Sequence, residues 1–239
     1  MQIMDDRHFY AFDEAEFLRV QLEKNTELME MIDLGAGSKK GNSQRKQISG
    51  VAKNSLSSPW QCQMMFKLVE HLQSEQILEI GSSLGISSIY LAKANGKSTV
   101  QSLEGNHDSI TIAKNMASTA KVQNIRFTEG NFDDTLESVI SKMPRVDLAF
   151  VDGNHRYEAT LDYTQKILAK ANEKTAIVID DIYWSEGMTK AWQEIIALPD
   201  VRASVDFFYF GIIFTNPDFK ENKHLKIIDA RLKPWQRYI

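Results

Sequence analysis

The chain has 239 residues, of which 43% are hydrophobic and 25% charged, and this composition excludes disordered, collagen-like and low-complexity proteins. Its length fits one large domain or one domain with an appendage. The chain contains 28 Lys and Arg and 32 Asp and Glu residues, which gives a net charge of −4. This charge disfavours nucleic acid and anionic membranes as partners. The single Cys62 excludes an intramolecular disulfide and a cysteine-based zinc site.

The location of the protein is predicted from its apolar segments. The N-terminal residues lack the apolar core of a secretory leader, and the longest apolar run, 207–214, is far too short to span a membrane. We therefore expect a cytoplasmic protein.

The first 74 residues predict helices and no strand. Asp13 and Glu16 have the spacing of a capping box, and the apolar residues after them predict a helix of about five turns that ends at Gly35. The segment 35–58 lacks hydrophobic periodicity, which predicts a loop. Because loops of that length are usually functional or mobile, we expect this one to act as a lid that covers a bound ligand.

A second N-terminal helix has a strong start signal. Ser58, Pro59 and Gln61 supply an N-cap, a first-turn proline and a capping-box partner. We expect residues 1–74 to form helices and a lid-like loop that pack on a core made by residues 75–239.

After residue 75, short apolar runs alternate with amphipathic stretches, which is typical of strand and helix units around a parallel sheet. Strands are predicted over 77–80, 99–103, 125–128, 146–151 and 176–179, with helices after Gly85, Asp108, Asp133, Tyr157 and Ser185. Two further apolar runs, 201–208 and 210–215, have no helix between them and predict an antiparallel pair. The sequence thus predicts a doubly wound α/β domain with seven strands, mostly parallel, and an N-terminal helical extension.

A glycine turn follows the first of these strands, and a helix begins near Ser87. Glycines let the backbone approach a ligand closely at a helix N-terminus. The spacing from Gly81 to Gly85 differs from the Gly-x-Gly-x-x-Gly of pyrophosphate-binding dehydrogenases, so the turn favours a compact ligand without phosphates. A plain strand-to-helix turn is the alternative interpretation.

Two other strand ends carry residues suited to a nucleoside. Glu104 closes the second strand, where an acid commonly accepts hydrogen bonds from a ribose diol, although a solvated loop acid is the alternative. After the third strand, Gly130 permits a close approach, while Asn131 and Phe132 offer a hydrogen bond and stacking to an adenine ring. For Asp133 or Asp134, which come next, a helix cap is the simpler interpretation.

These motifs, Leu-Glu-Ile-Gly-Ser-Ser-Leu-Gly at 78–85, Glu104 and the turn at 129–132, together resemble class I S-adenosylmethionine-dependent methyltransferases. The resemblance covers roughly residues 75–215 and implies the Rossmann-like, seven-stranded fold of that family. It implies that the first loop holds the methionine part, Glu104 the ribose and the turn at 130–132 the adenine. The implied cofactor-binding residues are Glu79, Gly81, Ser82, Ser83, Gly85, Ser87, Glu104, Gly105, Asn106, Gly130, Asn131, Phe132 and Asp152. A similar glycine run at 33–38 lacks a preceding strand, and we assign it no cofactor role.

Two more motifs, Val-Asp-Gly-Asn-His at 151–155 and Ile-Asp-Asp at 179–181, resemble metal-dependent small-molecule O-methyltransferases of the sugar and macrolide type. The catechol-acting relatives have Asp-Asn in place of the acidic pair. The resemblance implies Asp152, Asp180 and Asp181 as Mg²⁺ ligands, and His155 as the catalytic base beside Asp152. A hard cation would relieve the repulsion among three such carboxylates.

Strand geometry limits this metal prediction. Successive strand residues point to opposite faces, so Asp180 and Asp181 both face one site only if the strand ends between them. A helix cap is the alternative role for one of the acids, and a polar loop cap is the alternative role for His155.

We therefore predict an S-adenosylmethionine-dependent O-methyltransferase that acts on a small-molecule hydroxyl, with Mg²⁺ assistance as an option. The alternatives are an NAD-dependent oxidoreductase, since Glu104 suits an NAD ribose equally well, and a catalytically silent nucleoside-binding protein. The expected partner is a small-molecule acceptor, with no nucleic acid and no membrane, and a homodimer is left open. Tyr183, Trp184 and Trp192 are candidates to line an aromatic acceptor pocket, although helical spacing favours core packing for Trp192.

Overall fold

The computed structural model describes residues 7–32, 43–219 and 223–227. The chain divides into two compact units, Met1–Pro144 and Arg145–Ile239. The predicted start of the core at residue 75 lies inside the first unit. Within the described ranges, no helix is both long enough and apolar enough to cross a membrane.

The first unit begins with elements that only partly match the predicted helices. They are α1 Tyr10–Lys24, β1 Leu28–Ile32, β2 Ser43–Gln47, α2 Ile48–Ser55 and α3 Pro59–Leu72. The prediction of one helix up to Gly35 was wrong, because α1 ends at Lys24 and the next residues form a strand. Asn25 adopts an extended backbone and its Oδ1 accepts the Glu27 N–H at 2.8 Å, which stops the helix.

The predicted loop at 35–58 was also wrong where the structure describes it. β2 pairs antiparallel with β1, with Leu28 opposite Gln47, and α2 follows with one buried face formed by Ile48, Val51 and Ala52. Residues 33–42, which include the glycine run at 33–38, lie outside the described residues.

The N-termini of α1 and α3 are stabilised in different ways. Phe9 is the N-cap of α1 and makes no side-chain cap, so the predicted capping box of Asp13 and Glu16 was wrong. Phe9 instead packs on Phe66, with ring centroids 4.8 Å apart, and this apolar contact fixes the chain entry. For α3 the cap prediction was correct, because Ser58 Oγ accepts the Gln61 N–H at 3.3 Å.

The rest of the first unit alternates strands and helices. The elements are β3 Gln76–Ile80, α4 Ile86–Ala94, β4 Thr99–Glu104, α5 His107–Thr119, β5 Ile125–Glu129 and α6 Phe132–Ile140. The three strands are parallel in the order β3, β4, β5. Their carboxyl ends therefore lie at one edge, where Gly81, Gly105 and Gly130 each begin a loop.

The N-terminal elements pack on this part of the unit. Helices α1 and α3 contact α4, and β1 contacts α5. Tyr90 on α4 donates its hydroxyl to Glu16 on α1 at 2.9 Å. The helix that follows the glycine turn is thus covered by the N-terminal segment.

The second unit contains β6 Val146–Val151, α7 Tyr157–Leu168, β7 Ala171–Asp180, α8 Glu186–Ile196, β8 Ala203–Asp206, β9 Phe210–Phe214 and β10 Lys223–Lys226. β6 and β7 are parallel, and β9 is antiparallel to both β7 and β8. The predicted α/β fold, mostly parallel with a closing antiparallel pair, is confirmed. β10, which pairs parallel to β8, was not predicted because its residues are all exposed and form no apolar pattern.

Candidate functional site

The turn between β3 and α4 has a compact backbone. Gly81, Ser83 and Gly85 have φ of 93°, 47° and 86°, in the left-handed region that favours glycine. The N–H groups of Gly81 and Ser82 donate to the carbonyl of Leu103 at 2.9 and 3.3 Å. The turn is therefore tied to the end of β4.

Gly85 also has a packing role that the sequence did not predict. A Cβ atom at this position would lie 2.8 Å from the Cβ of Ala113 on α5. Real Cβ atoms do not approach so closely. The missing side chain therefore lets α5 pack against the turn, independently of any ligand.

Ser82 is buried within this turn, and its hydroxyl has no hydrogen-bond partner among the residues that the structure describes. A buried polar group without a partner costs about 1–3 kcal/mol. A polar group of a ligand held by the turn would supply the missing bond. In the described residues, Ser74 has the same property.

Glu79 is fully buried at the centre of a serine cluster. Its carboxylate accepts hydrogen bonds from the hydroxyls of Ser87 and Ser102, each at 2.6 Å, and from Ser88. Burial raises the pKa of Glu79, and the hydroxyl bonds lower it in part. These bonds connect β3, α4 and β4. In the structure, the side chains of Glu79 and Ser87 bond to each other, and Glu79 also bonds to Ser88 and Ser102. A contact of Glu79 or Ser87 with a cofactor stays a prediction.

Glu104 lies half-buried at the carboxyl end of β4. Its Oε2 accepts the Ser83 N–H at 2.7 Å, and its Oε1 accepts the Asn106 N–H at 2.9 Å. Burial raises the pKa of this carboxyl, while the amides of Asn106, Ser83 and Gly105 lower it. Two carboxylate oxygens have about four acceptor positions, and binding of a ribose hydroxyl at a remaining one stays a prediction.

β1 contributes a contact to this region that the sequence analysis missed. The Asn106 side chain donates to the carbonyl of Glu30 at 2.9 Å, and the Glu30 N–H donates to Asp108 at 2.6 Å. Asn106 also caps α5 by accepting the Ser109 N–H at 2.9 Å. No sequence signal pointed to Glu30, because this segment was predicted as helix.

The turn after β5 is held by the same strand ends. Gly130 has φ of 141°, and its N–H donates to the carbonyl of Glu104 at 3.0 Å. Asn131 is the N-cap of α6 and accepts the Asp133 N–H at 3.1 Å. The cap predicted at Asp133 or Asp134 was wrong, since both acids lie in the first turn of the helix. A role of Asn131 and Phe132 at an adenine stays a prediction.

In the second unit, a histidine lies between two carboxylates. His155 Nε2 is 3.6 Å from Oδ1 of Asp152 and 3.9 Å from Oδ2 of Asp181. Asn154 has φ of 55° and donates to the Tyr163 hydroxyl at 3.0 Å, which fixes the loop that carries His155. The loop thus places one ring nitrogen near two carboxylates.

β7 ends between Asp180 and Asp181, which is the condition for both acids to face one site. The strand ends at Asp180, and Asp181 adopts a left-handed backbone with φ of 55°. The alternation of faces therefore stops between the two acids. In the described part of the chain, however, no group of three or more His, Cys, Asp or Glu is close enough together to hold a metal ion. The Mg²⁺ site stays a prediction.

Comparison with known protein families gives a match over part of the chain. Residues 78–182 match a protein family described as "Methyltransferase domain". No curated protein matches the chain.

Solved structures match nearly the whole chain at low identity. Cofactor-bound Rv0187 from MTB is 20% identical, with 87% of this chain and 90% of that chain covered and a TM-score of 0.66. The O-methyltransferase TomG from Streptomyces achromogenes, in complex with SAM, is 16% identical, with coverage of 90% and 93% and a TM-score of 0.65. An O-methyltransferase from Bacillus cereus in complex with SAH is 17% identical, with coverage of 89% and 94% and a TM-score of 0.64. The chain therefore shares the fold of these methyltransferases, and its residues 78–182 match the methyltransferase-domain family.

Proposed function

We propose that this chain transfers a methyl group from S-adenosylmethionine to an oxygen atom of a small molecule. The observation that carries the proposal is the family match over residues 78–182, which begins ahead of the glycine turn and ends just beyond Asp181. The O-methyltransferases of similar fold whose structures contain SAM or SAH support the same cofactor here. The net charge of −4 supports a small-molecule acceptor over a nucleic acid.

The residues of the first unit fit this cofactor. The left-handed turn at 81–85 and the unpartnered Ser82 hydroxyl suit its methionine part, and Glu104 suits its ribose hydroxyls. The turn at 130–132 suits the adenine. When bound, the cofactor supplies a methyl group on a positively charged sulfur.

His155 is the proposed general base. Its Nε2 faces Asp152 and Asp181, so we assign a proton to Nε2 and a free lone pair to Nδ1. The bound cofactor would supply the methyl group to the acceptor oxygen and would leave as the neutral sulfide, S-adenosylhomocysteine. The hydroxyl proton moves to Nδ1, and the two carboxylates stabilise the imidazolium that forms. We keep Mg²⁺ at Asp152, Asp180 and Asp181 as a separate proposal and give it no step.

Two measurements test this function. Calorimetric titration should show binding of S-adenosylhomocysteine and no binding of NAD⁺, and the reverse result would favour the oxidoreductase alternative. Incubation with S-adenosylmethionine labelled at the methyl group should transfer label to a hydroxylated small molecule. Cofactor binding without transfer to any acceptor would favour a silent binding protein.

A further inference from the structure

Three exposed aromatic residues lie in the loops that follow β7 and β8, at the same strand end of the second unit, and we call them the aromatic rim. Trp184 is 74% exposed, Phe208 47% and Tyr209 60%. Phe208 and Tyr209 are in edge contact, with ring centroids 5.3 Å apart. A grouped set of large exposed apolar side chains marks a binding surface, whereas isolated ones need no explanation.

The aromatic rim lies beside the residues proposed for catalysis. The Trp184 N–H donates to the carbonyl of Asp181 at 2.9 Å. β9 pairs with β7 so that Phe210 lies opposite Asp180, which places the β8–β9 connection at the same strand end. The rim is therefore next to the turn that carries Asp181, the carboxylate near His155.

Tyr183 and its partners hold Phe208, one residue of the rim, in place. The Tyr183 hydroxyl donates to Oδ2 of Asp206 at 2.5 Å and accepts from Lys226 at 3.0 Å. The Lys226 ammonium lies 4.7 Å from the centre of the Tyr183 ring, and the Phe208 ring lies 5.6 Å from it. Asp206 also accepts the Phe208 N–H at 2.8 Å through Oδ1. Because these contacts fix Phe208 before any ligand binds, little conformational entropy of this residue is lost on binding.

The backbone of Phe208 gives a second, independent indication. Gln73 and Lys121 have positive φ at helix ends, whereas Ser83, Asn154, Asp181 and Phe208 have it after strands. Phe208 has the largest φ of these, 74°, where the backbone of an L-residue is strained and that of glycine is not. An aromatic residue in a position that favours glycine indicates a use for its side chain.

We propose that the aromatic rim binds the methyl acceptor, and that the acceptor carries its hydroxyl on an aromatic ring. The proposal rests on the proposed O-methyltransferase function and specifies the substrate class of its acceptor site. Stacking between aromatic rings stabilises a complex beyond the burial of the two rings. A phenolic hydroxyl also ionises near a pKa of about 10, which suits a histidine base better than an aliphatic alcohol does. This acceptor differs from the sugar hydroxyl that the sequence resemblance implied.

The test compares 2-naphthol and phenol with methyl glucoside as acceptors for the labelled methyl group. We expect label on the two aromatic compounds. Transfer to methyl glucoside alone would overturn the aromatic proposal while leaving the O-methyltransferase function intact. Absence of both cofactor binding and transfer would instead defeat the function itself.

Phe208→Gly separates a binding role from a structural one. Glycine relieves the strained backbone, so the melting temperature should stay the same or rise. Loss of the ring should raise KM for 2-naphthol about tenfold, with kcat and the affinity for S-adenosylhomocysteine unchanged. Trp184→Ala should act in the same direction, and Tyr10→Ala on α1, where Tyr10 is 89% exposed, is the matched control. An unchanged KM in both rim variants, or a clear drop in melting temperature with Phe208→Gly, would overturn the proposal.

Discussion

The Ser83 N–H donates to Oε2 of Glu104 at 2.7 Å, which joins the glycine turn to the carboxyl end of β4. The other carboxylate oxygen accepts the Asn106 N–H at 2.9 Å, at the start of α5. One side chain thus sets the positions of two loops proposed to hold the cofactor. Removing it should affect both the ribose contact and the shape of the turn.

Glu104→Ala should weaken binding of S-adenosylhomocysteine by about 1.5–3 kcal/mol, the range for hydrogen bonds to a charged group. Calorimetric titration measures this difference directly. Glu137→Gln, an exposed acid on α6, is the control and should leave the affinity unchanged. Wild-type affinity in Glu104→Ala would remove Glu104 from the proposed cofactor site.

The buried Glu79 should make stability depend on pH. Its pKa is raised above the ordinary 4.5 by burial, so the folded chain retains a proton that the unfolded chain loses. Stability should therefore fall as the pH rises from 4.5 through the raised pKa. Urea unfolding at a series of pH values should show a smaller fall for Glu79→Gln, which cannot ionise. A wild type that gains stability relative to Glu79→Gln over this range would contradict the raised pKa.

Gly211 in β9 should tolerate no side chain. A Cβ atom there would lie 2.6 and 2.7 Å from Cζ3 and Cζ2 of Trp192, which is itself buried on α8. Gly211→Ala should destabilise the protein by about 1–3 kcal/mol, as overpacking does. Gly50→Ala is the matched control, because a Cβ atom there meets nothing within 4 Å and alanine favours the helix by about 0.5–1 kcal/mol. Denaturant unfolding of both variants should give changes of opposite sign.

The sequence predicted the strands that are both apolar and flanked by turns. β6 is buried along its whole length, and such a run has few alternative structures. β1 was missed because Leu28, Met29 and Ile32 also fit helical spacing, and because its partner, Ser43–Gln47, is entirely polar. The pairing depends on residues distant in sequence, which local periodicity cannot show.

The candidate site, like the fold, could be predicted only in part from the sequence. Residue type and position at a strand end selected Glu104 as a candidate, and the family resemblance selected Asp152 and His155; the roles of all three stay predictions. Side-chain partners were not predictable, because they depend on neighbouring strands. Glu79 was assigned to the cofactor, and the structure shows it bonded to Ser87, Ser88 and Ser102.

The proposed Mg²⁺ at Asp152, Asp180 and Asp181 predicts sensitivity to chelation. EDTA should abolish methyl transfer and leave the affinity for S-adenosylhomocysteine unchanged, since the ion would act on the acceptor. Added Mg²⁺ should restore transfer. Asp181→Asn should resemble the chelated enzyme, whereas Asp162→Asn, an exposed acid on α7, should not. Full activity in EDTA would exclude the metal and leave the proposed base untouched.

Replacement of His155 tests the base itself. His155→Ala and His155→Gln both remove the lone pair that accepts the hydroxyl proton, and Gln also keeps a side chain able to bond to Asp152 or Asp181. Both variants should lower kcat by about 10²–10⁴, the range for loss of a general base. Because His155 contacts acids of the second unit, the affinity for S-adenosylhomocysteine should change little. His71→Ala, an exposed histidine of α3, is the control. If His155→Gln kept wild-type turnover, the histidine would be a loop-fixing residue, and the acceptor hydroxyl would have to lose its proton to another group.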